Sequence, residues 1–317
     1  GPVWNPQRRV HNVYAPAMSG DTQSLMVPTA DGRQLEVLVS GPDDGLPVVF
    51  HTGTPTGPVP YAPTTRAAAD NGLRLVTYGR PGYGRSTPQP GRSVADVVAD
   101  TVTVLDHLGA GEFVTMGHSG GGPHALACAA LLPDRCLAAA SVAGVAPWDA
   151  EGLDLMAGMG PENIEEFGLA MKGAEALTPF LETASEQLRT IAPAEVVEAF
   201  GGLVSEVDKA VLTGAVADYF ADGFHKAFES SIAGWLDDDL AFVRPWGFEL
   251  TDITVPVSVW QGAQDLMVPY AHGQWLAAHV PGATVHLYDE HGHLSLTEDH
   301  VPAILADLAE TARSQPG

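Results

Sequence analysis

Only three of the 317 residues are lysine, at Lys172, Lys209 and Lys226, and Lys and Arg together number 15 against 39 Asp and Glu, a formal net charge of −24. Affinity for a phosphate backbone comes from clustered basic residues that displace counterions. Their scarcity excludes a nucleic-acid partner and an anionic membrane surface. Cysteine is almost missing too: Cys128 and Cys136 both sit in apolar stretches and read as small core residues of a reducing compartment, not as a disulfide framework. No apolar run approaches the length of a membrane span. The chain is nevertheless 45% apolar and 17% charged, which excludes a disordered polymer and leaves enough material for a large core. Gly1-Pro2 resembles the remnant of a removed tag, so a lost leader stays open, and a cytoplasmic location is the expectation from composition.

What is present is an alternation of short apolar segments with amphipathic ones. Residues 1–20 have no clear period and read as an arm. Leu25–Pro28 and Gln34–Val39 flank Asp31-Gly32, a hairpin signal. Strands are then predicted at Pro47–His51, Leu73–Tyr78, Phe113–Met116 and Cys136–Val145. Helices are predicted at Tyr61–Asn71, at Ser93–Leu108 with Ser93 as N-cap, and at Gly120–Leu132. The alternation resumes with Val255–Trp260, Tyr270–His279, Ala283–Tyr288 and His300–Thr311. Such a pattern predicts an α/β fold: a mostly parallel central sheet covered by helices on both faces. Between residues 148 and 245 helical patterns (Glu162–Leu177, Ser185–Phe200) follow one another with no strand between them, which predicts a helical insertion dividing a core of residues 21–147 and 246–317. That insertion is acidic, with 19 acidic and 5 basic residues, net −14.

The informative stretch is Gly117-His118-Ser119-Gly120-Gly121 between a strand and a helix. A serine on a tight strand-to-helix turn needs small residues two positions away on either side, and the helix behind it offers unpaired N–H groups to an oxyanion. A nucleophilic serine also needs a base, and the base an orienting acid.

Over residues 24–313 the chain resembles the α/β-hydrolase superfamily, in its serine-nucleophile, lid-bearing branch similar to bacterial esterases and proline iminopeptidase-like hydrolases. His51-Thr-Gly-Thr-Pro55 is similar to the family's oxyanion turn, and Tyr78-Gly-Arg-Pro-Gly-Tyr-Gly-Arg-Ser86 to its loop after the fourth strand. Thr52 between His51 and Gly53, and Gly79 where an Asp is common, depart from that pattern. The resemblance implies Thr54, or else Gly53, as one oxyanion donor and Gly120 as the second, with His51 structural. Gln261-Gly-Ala-Gln-Asp265-Leu-Met-Val-Pro269 resembles the acid turn, and His291-Gly-His293 the base loop. Ser119, Asp265 and His293 are therefore the implied triad, with Asp149 the competing acid and His291 the competing base. His118 and His124 read as core or surface residues. Asp289, Glu290, His291 and His293 are metal-ligating by type, but adjacent carboxylates on a loop without further patterned ligands do not make a site. No cofactor or metal is implied.

The implied activity is hydrolysis of an ester, lactone or small amide of a small, hydrophobic substrate through an acyl-enzyme. The insertion would be the lid, with Trp148, Phe167, Phe220 and Trp235 among its pocket residues. Two other functions fit: a proline iminopeptidase-like aminopeptidase, whose lid carboxylates recognise a substrate amine, and a non-catalytic ligand-binding member of the fold. An aspartate nucleophile, needed for epoxide or haloalkane hydrolysis, is not at the elbow. Oligomeric state is not legible.

Overall fold

The computed structural model describes residues 22–315, so the arm expected over residues 1–20 lies outside the described residues. Eight strands form one sheet: β1 (Gln23–Pro28), β2 (Gln34–Ser40), β3 (Leu46–His51), β4 (Leu73–Tyr78), β5 (Phe113–His118), β6 (Cys136–Val142), β7 (Val257–Gly262) and β8 (Thr284–Tyr288), in spatial order β1-β2-β4-β3-β5-β6-β7-β8. β1 and β2 pair antiparallel, as does β2 with β4, and β3 to β8 run parallel. The reversal at β1–β2 follows from the Asp31-Gly32 turn, where Gly32 takes φ +84°.

Parallel strands must be covered on both sides, because the crossovers that connect them are helices. Adjacent residues of β3 divide between the faces: Val49 joins a core with α2 (Val97–His107), α3 (Gly122–Leu131) and α10 (Tyr270–His279), and Val48 joins one with α1 (Ala62–Asp70) and α11 (Ser295–Arg313). α3 is buried along almost its whole length, which explains why its sequence is apolar on every side. At α2, Ser93 lies in a turn before the helix proper. Its backbone N–H donates to Asp96 and its hydroxyl accepts the Asp96 N–H.

Between β6 and β7 the chain forms six helices without a strand: α4 (Pro161–Lys172), α5 (Ala174–Leu188), α6 (Val196–Phe200), α7 (Glu206–Val211), α8 (Gly214–Ala227) and α9 (Ala233–Phe242). The two helices expected here differ from those observed. Gly173 at φ +108° separates α4 from α5 inside the first expected span, and Pro193, which has no N–H for a helical bond, opens a short 3₁₀ turn inside the second. These helices have apolar clusters of their own, and the clusters include Tyr83, Met267 and Leu294 from the loops at the carboxyl ends of the strands. The insertion therefore packs down onto the sheet edge where sites form in open α/β folds.

Candidate active site

Ser119 follows β5 directly and holds a left-handed backbone, φ +56°, as the chain turns through Ser119–Gly121 into α3. The glycines on either side have steric reasons. A Cβ on Gly117 would stand 2.0 Å from the Gly121 carbonyl oxygen, and one on Gly121 would stand 2.0 Å from that of His51. The turn closes only with hydrogen at both positions. Gly120 is equally confined: its Cβ would lie 2.2 Å from Thr54 Oγ1 and 2.9 Å from Phe242 Cζ, so Thr54 sits directly over the residue after Ser119. Gly53 also comes close, with its Cβ position 3.5 Å from Ser119 Cβ.

His293 Nδ1–H donates to Asp265 Oδ2 at 2.6 Å, so that in the neutral ring Nε2 is the nitrogen free to accept a proton. Asp265 is held on its turn after β7 by the N–H groups of Met267 and Val268, both 2.8 Å from Oδ1, and by Gln261 Nε2 at 3.3 Å from Oδ2. Burial acts to lower the His293 pKa, but the charge and hydrogen bond of Asp265, with the charge of Asp208 behind them, carry it above the ordinary histidine value. The ring of His118, next to Ser119, lies 4.7 Å from that of His293, and its Nε2–H donates to the His293 carbonyl at 3.1 Å. Burial and the neighbouring His293 push His118 down to about 3, so it stays neutral.

The alternatives named from the sequence are placed elsewhere. Asp149 is exposed and hydrogen-bonds no histidine among the described residues. His291 contacts Ser295 Oγ at 3.1 Å and Asp299 at 3.4 Å. Asp289 and Glu290 are exposed, and among the described residues no three His, Cys, Asp or Glu side chains converge in a metal-holding arrangement. His51 is buried beside Cys128 and held down to about 3 by burial and by Arg80. His124 is buried below the elbow, where its Nδ1–H donates to the Gly120 carbonyl at 2.8 Å.

Ser119 and Gly120 open onto a cavity of about 1060 Å³, counting space continuous with solvent. Thr54 and Pro55 border it from the loop after β3, Met267 and Val268 from the Asp265 turn, and Phe167, Phe180, Trp235 and Phe242 from the insertion. Of the four aromatic residues named from the sequence, Phe167 and Trp235 border this cavity and Trp148 and Phe220 do not. Trp148 stands on a turn after β6 with 39% of its surface exposed, and Phe220 packs against Phe200 and Phe224 and lines a separate cavity with Tyr61, Tyr219 and His118.

Several residues of the site had no signal in the sequence. Glu166 and Asp239 both border the cavity: burial raises the Glu166 carboxyl pKa against the hydrogen bonds of Asp239 and Trp235, which lower it, and burial, then the charge and hydrogen bond of Glu166, then the charge of Asp238, push Asp239 well above the usual carboxylate range. The Trp235 indole N–H donates to Glu166 at 3.3 Å. Behind the Thr54 loop, Arg80, Arg92 and Asp238 form a fully buried ionic cluster, and Asp208 lies against the His293 turn. Each is one acid or base among many in an acidic chain, and only tertiary contact distinguishes it.

Comparison with known proteins agrees with the fold. The family model of the alpha/beta hydrolase fold matches residues 47–299. A non-heme chloroperoxidase of Streptomyces lividans is 30% identical over 295 residues, covering 91% of this chain and 99% of its own length. Epoxide hydrolase B of Mycobacterium tuberculosis is 34% identical over 119 residues, 36% of this chain and 33% of its own. Among solved structures, a bromoperoxidase from Bacillus anthracis aligns with a TM-score of 0.66 at 22% identity, over 92% of this chain and 100% of its own, a likeness of fold.

Proposed function

Because the chain belongs to the alpha/beta hydrolase fold family, we propose that it is a serine hydrolase that cleaves an ester, lactone or small amide bond of a small, hydrophobic substrate through an acyl-enzyme. Ser119 Oγ attacks the carbonyl carbon, His293 Nε2 takes the serine proton and returns it to the leaving group, and Asp265 holds the imidazole in that tautomer. The N–H groups of Gly120 and Thr54 stabilise the oxyanion, and water attacks the acyl-enzyme to release the acid. The observation that carries this reading is the combination of a left-handed Ser119 on a turn that admits only glycine at its flanks with a buried Asp265–His293 pair at 2.6 Å. The apolar and aromatic cavity wall supports a hydrophobic acyl or alcohol group. Ser119 in place of an aspartate argues against epoxide hydrolysis despite the partial likeness to epoxide hydrolase B.

The test is labelling with a fluorophosphonate followed by peptide mapping, together with a panel of acyl-nitrophenyl esters and aminoacyl amides. A covalent adduct on Ser119 and turnover of at least one ester class are expected. An unlabelled, inert protein would support a ligand-binding member of the fold instead. Hydrogen peroxide belongs in the panel as a competing nucleophile, since the S. lividans relative is named a chloroperoxidase.

A second reading has its own observation. Glu166 and Asp239 face the cavity beside the Trp235 indole, a combination of carboxyls and an aromatic face suited to a substrate ammonium group. It supports hydrolysis of amine-bearing substrates, including aminoacyl amides, by the same triad.

A further inference from the structure

Two aspartates of the insertion are completely buried without lining the cavity, and each is spent on a loop of the core. Asp208, on α7, accepts three successive backbone N–H groups: His293 at 2.8 Å, Leu294 at 2.9 Å and Ser295 at 3.0 Å. These are the turn that carries His293 and the first residues of α11. The unpaired donors of a helix start, usually met by a neighbouring residue, are here met by a carboxylate from a different element. Gly292 completes the fit, because a Cβ there would stand 2.5 Å from Asp208 Oδ2.

Asp238, on α9, is bound from the opposite side of the site. Arg80 Nε donates to it at 3.0 Å, Arg92 at 2.9 Å, the Tyr83 hydroxyl at 2.8 Å and the Thr54 hydroxyl at 2.6 Å. Arg80 also donates to the Thr52 carbonyl at 2.7 Å. The cluster therefore grips the loop at Thr52 and at Thr54, on both sides of Gly53, and sets the Thr54 side chain against Gly120. A carboxylate buried among two guanidiniums is tolerated only with its hydrogen bonds complete, so this loop has little latitude to shift.

We infer that Asp208 and Asp238 are positioning residues, the first fixing the turn that presents His293 and the second fixing the loop that presents the Thr54 N–H, so that the helical insertion assembles the catalytic geometry as well as covering it. The inference rests on the serine-hydrolase reading. If it holds, the two loops misplace their groups when these carboxylates are lost, and a displacement near 1 Å costs up to about 100-fold in rate.

The experiment uses the full chain and the variants Asp208→Asn, Asp238→Asn, Thr54→Val and Thr54→Ser. It measures kcat and KM on an aryl ester, the pH profile of kcat/KM, inhibition by a boronic acid that mimics the tetrahedral intermediate, and the melting temperature. Asp208→Asn is expected to lower kcat by about 10–100-fold with KM nearly unchanged. It should also move the rising limb of kcat/KM to lower pH. The groups facing His293 are Asp265, Asp208 and the neutral His118, and the variant removes one of two negative charges that favour the imidazolium. Thr54→Val is expected to lower kcat and boronate affinity in parallel, and Thr54→Ser, which keeps the hydroxyl, to restore both. Adding Thr54→Val to Asp238→Asn should cost less than it does in the wild type, since both act through one hydrogen bond. Should Asp238→Asn not fold, the Val and Ser pair at position 54 decides that arm. Variants that melt lower but keep wild-type kcat, pH limb and boronate affinity overturn the inference. A wild type that fluorophosphonate does not label at Ser119 overturns the reading beneath it as well.

Discussion

Ser119 occupies a backbone region that costs a non-glycine residue about 1–3 kcal/mol, and a packed turn holds it there. Such a position persists because its neighbours over-determine it, and the hydroxyl contributes little to that packing. Ser119→Ala should therefore leave the melting temperature near the wild type while lowering turnover by about 10⁴–10⁶. Wild-type turnover in that variant would remove Ser119 from the mechanism. Asp265→Asn should cost about 10⁴ by releasing the imidazole into the wrong tautomer, and Asp149→Asn, at an exposed residue, should be silent. The base must be neutral to accept a proton, and the His293 pKa is raised. kcat/KM should therefore climb with pH through a limb above the ~6.5 of an ordinary histidine. A limb below that value would mean that Asp265 does not act on His293. His118, neutral down to about 3, adds no limb of its own. At this scale the elbow was legible because its constraint is local: Gly117 and Gly121 lie two residues from the serine they make room for. Asp208 and Asp238 were not, since their partners His293 and Thr54 lie 85 and 184 residues away.

Among the elements, the parallel strands were readable because burial on both faces leaves a short apolar run with helical periodicity on either side. The ends of elements were less readable. α11 begins at Ser295 and not at the expected His300, because Asp208 supplies from another helix the cap that no adjacent residue offers. Within the insertion, apolar periodicity runs on through Gly173 although the helix does not. On α9 three consecutive aspartates, which the sequence presents as a charge run, have three different environments. Asp237 accepts the Gly91 N–H at 3.2 Å, Asp238 is held ionised by Arg80 and Arg92 against its burial, and Asp239 is pushed toward its neutral form. Stability consequences follow with opposite sign. The lowered pKa of Asp238 makes its contribution full above the unfolded carboxylate value and lost as acid protonates it. The raised pKa values of Asp239 and Glu166 contribute stability below the unfolded carboxylate range, and it is lost as pH rises through the folded values. Asp239→Asn should thus raise the melting temperature at pH 8 more than at pH 5. Equal shifts at both would mean that the pair does not hold a proton.

For the whole molecule, the net charge of −24 and the insertion's −14 act at two ranges. Exposed carboxylates set up a field that repels anions from the cavity mouth, and salt beyond about 0.1 M screens it within about 10 Å. Glu166 and Asp239 instead act at contact distance on the cavity wall, where a close, partly buried pairing is screened less than a long-range field. Three isosteric esters bearing an amine, a methyl and a carboxylate separate the two when their specificity constants are measured at low and at high salt. Discrimination against the carboxylate ester should shrink as salt rises, because it belongs to the field. Any preference for the amine over the methyl ester should survive salt and disappear in Glu166→Gln, because it belongs to the carboxyl pair. If the amine ester has no advantage that Glu166→Gln removes, the pair does not recognise ammonium, and hydrophobic shape selects the substrate. If the carboxylate ester is turned over as fast as the amine ester at low salt, neither range reaches the bound substrate, and the acidity of this chain concerns its solubility alone.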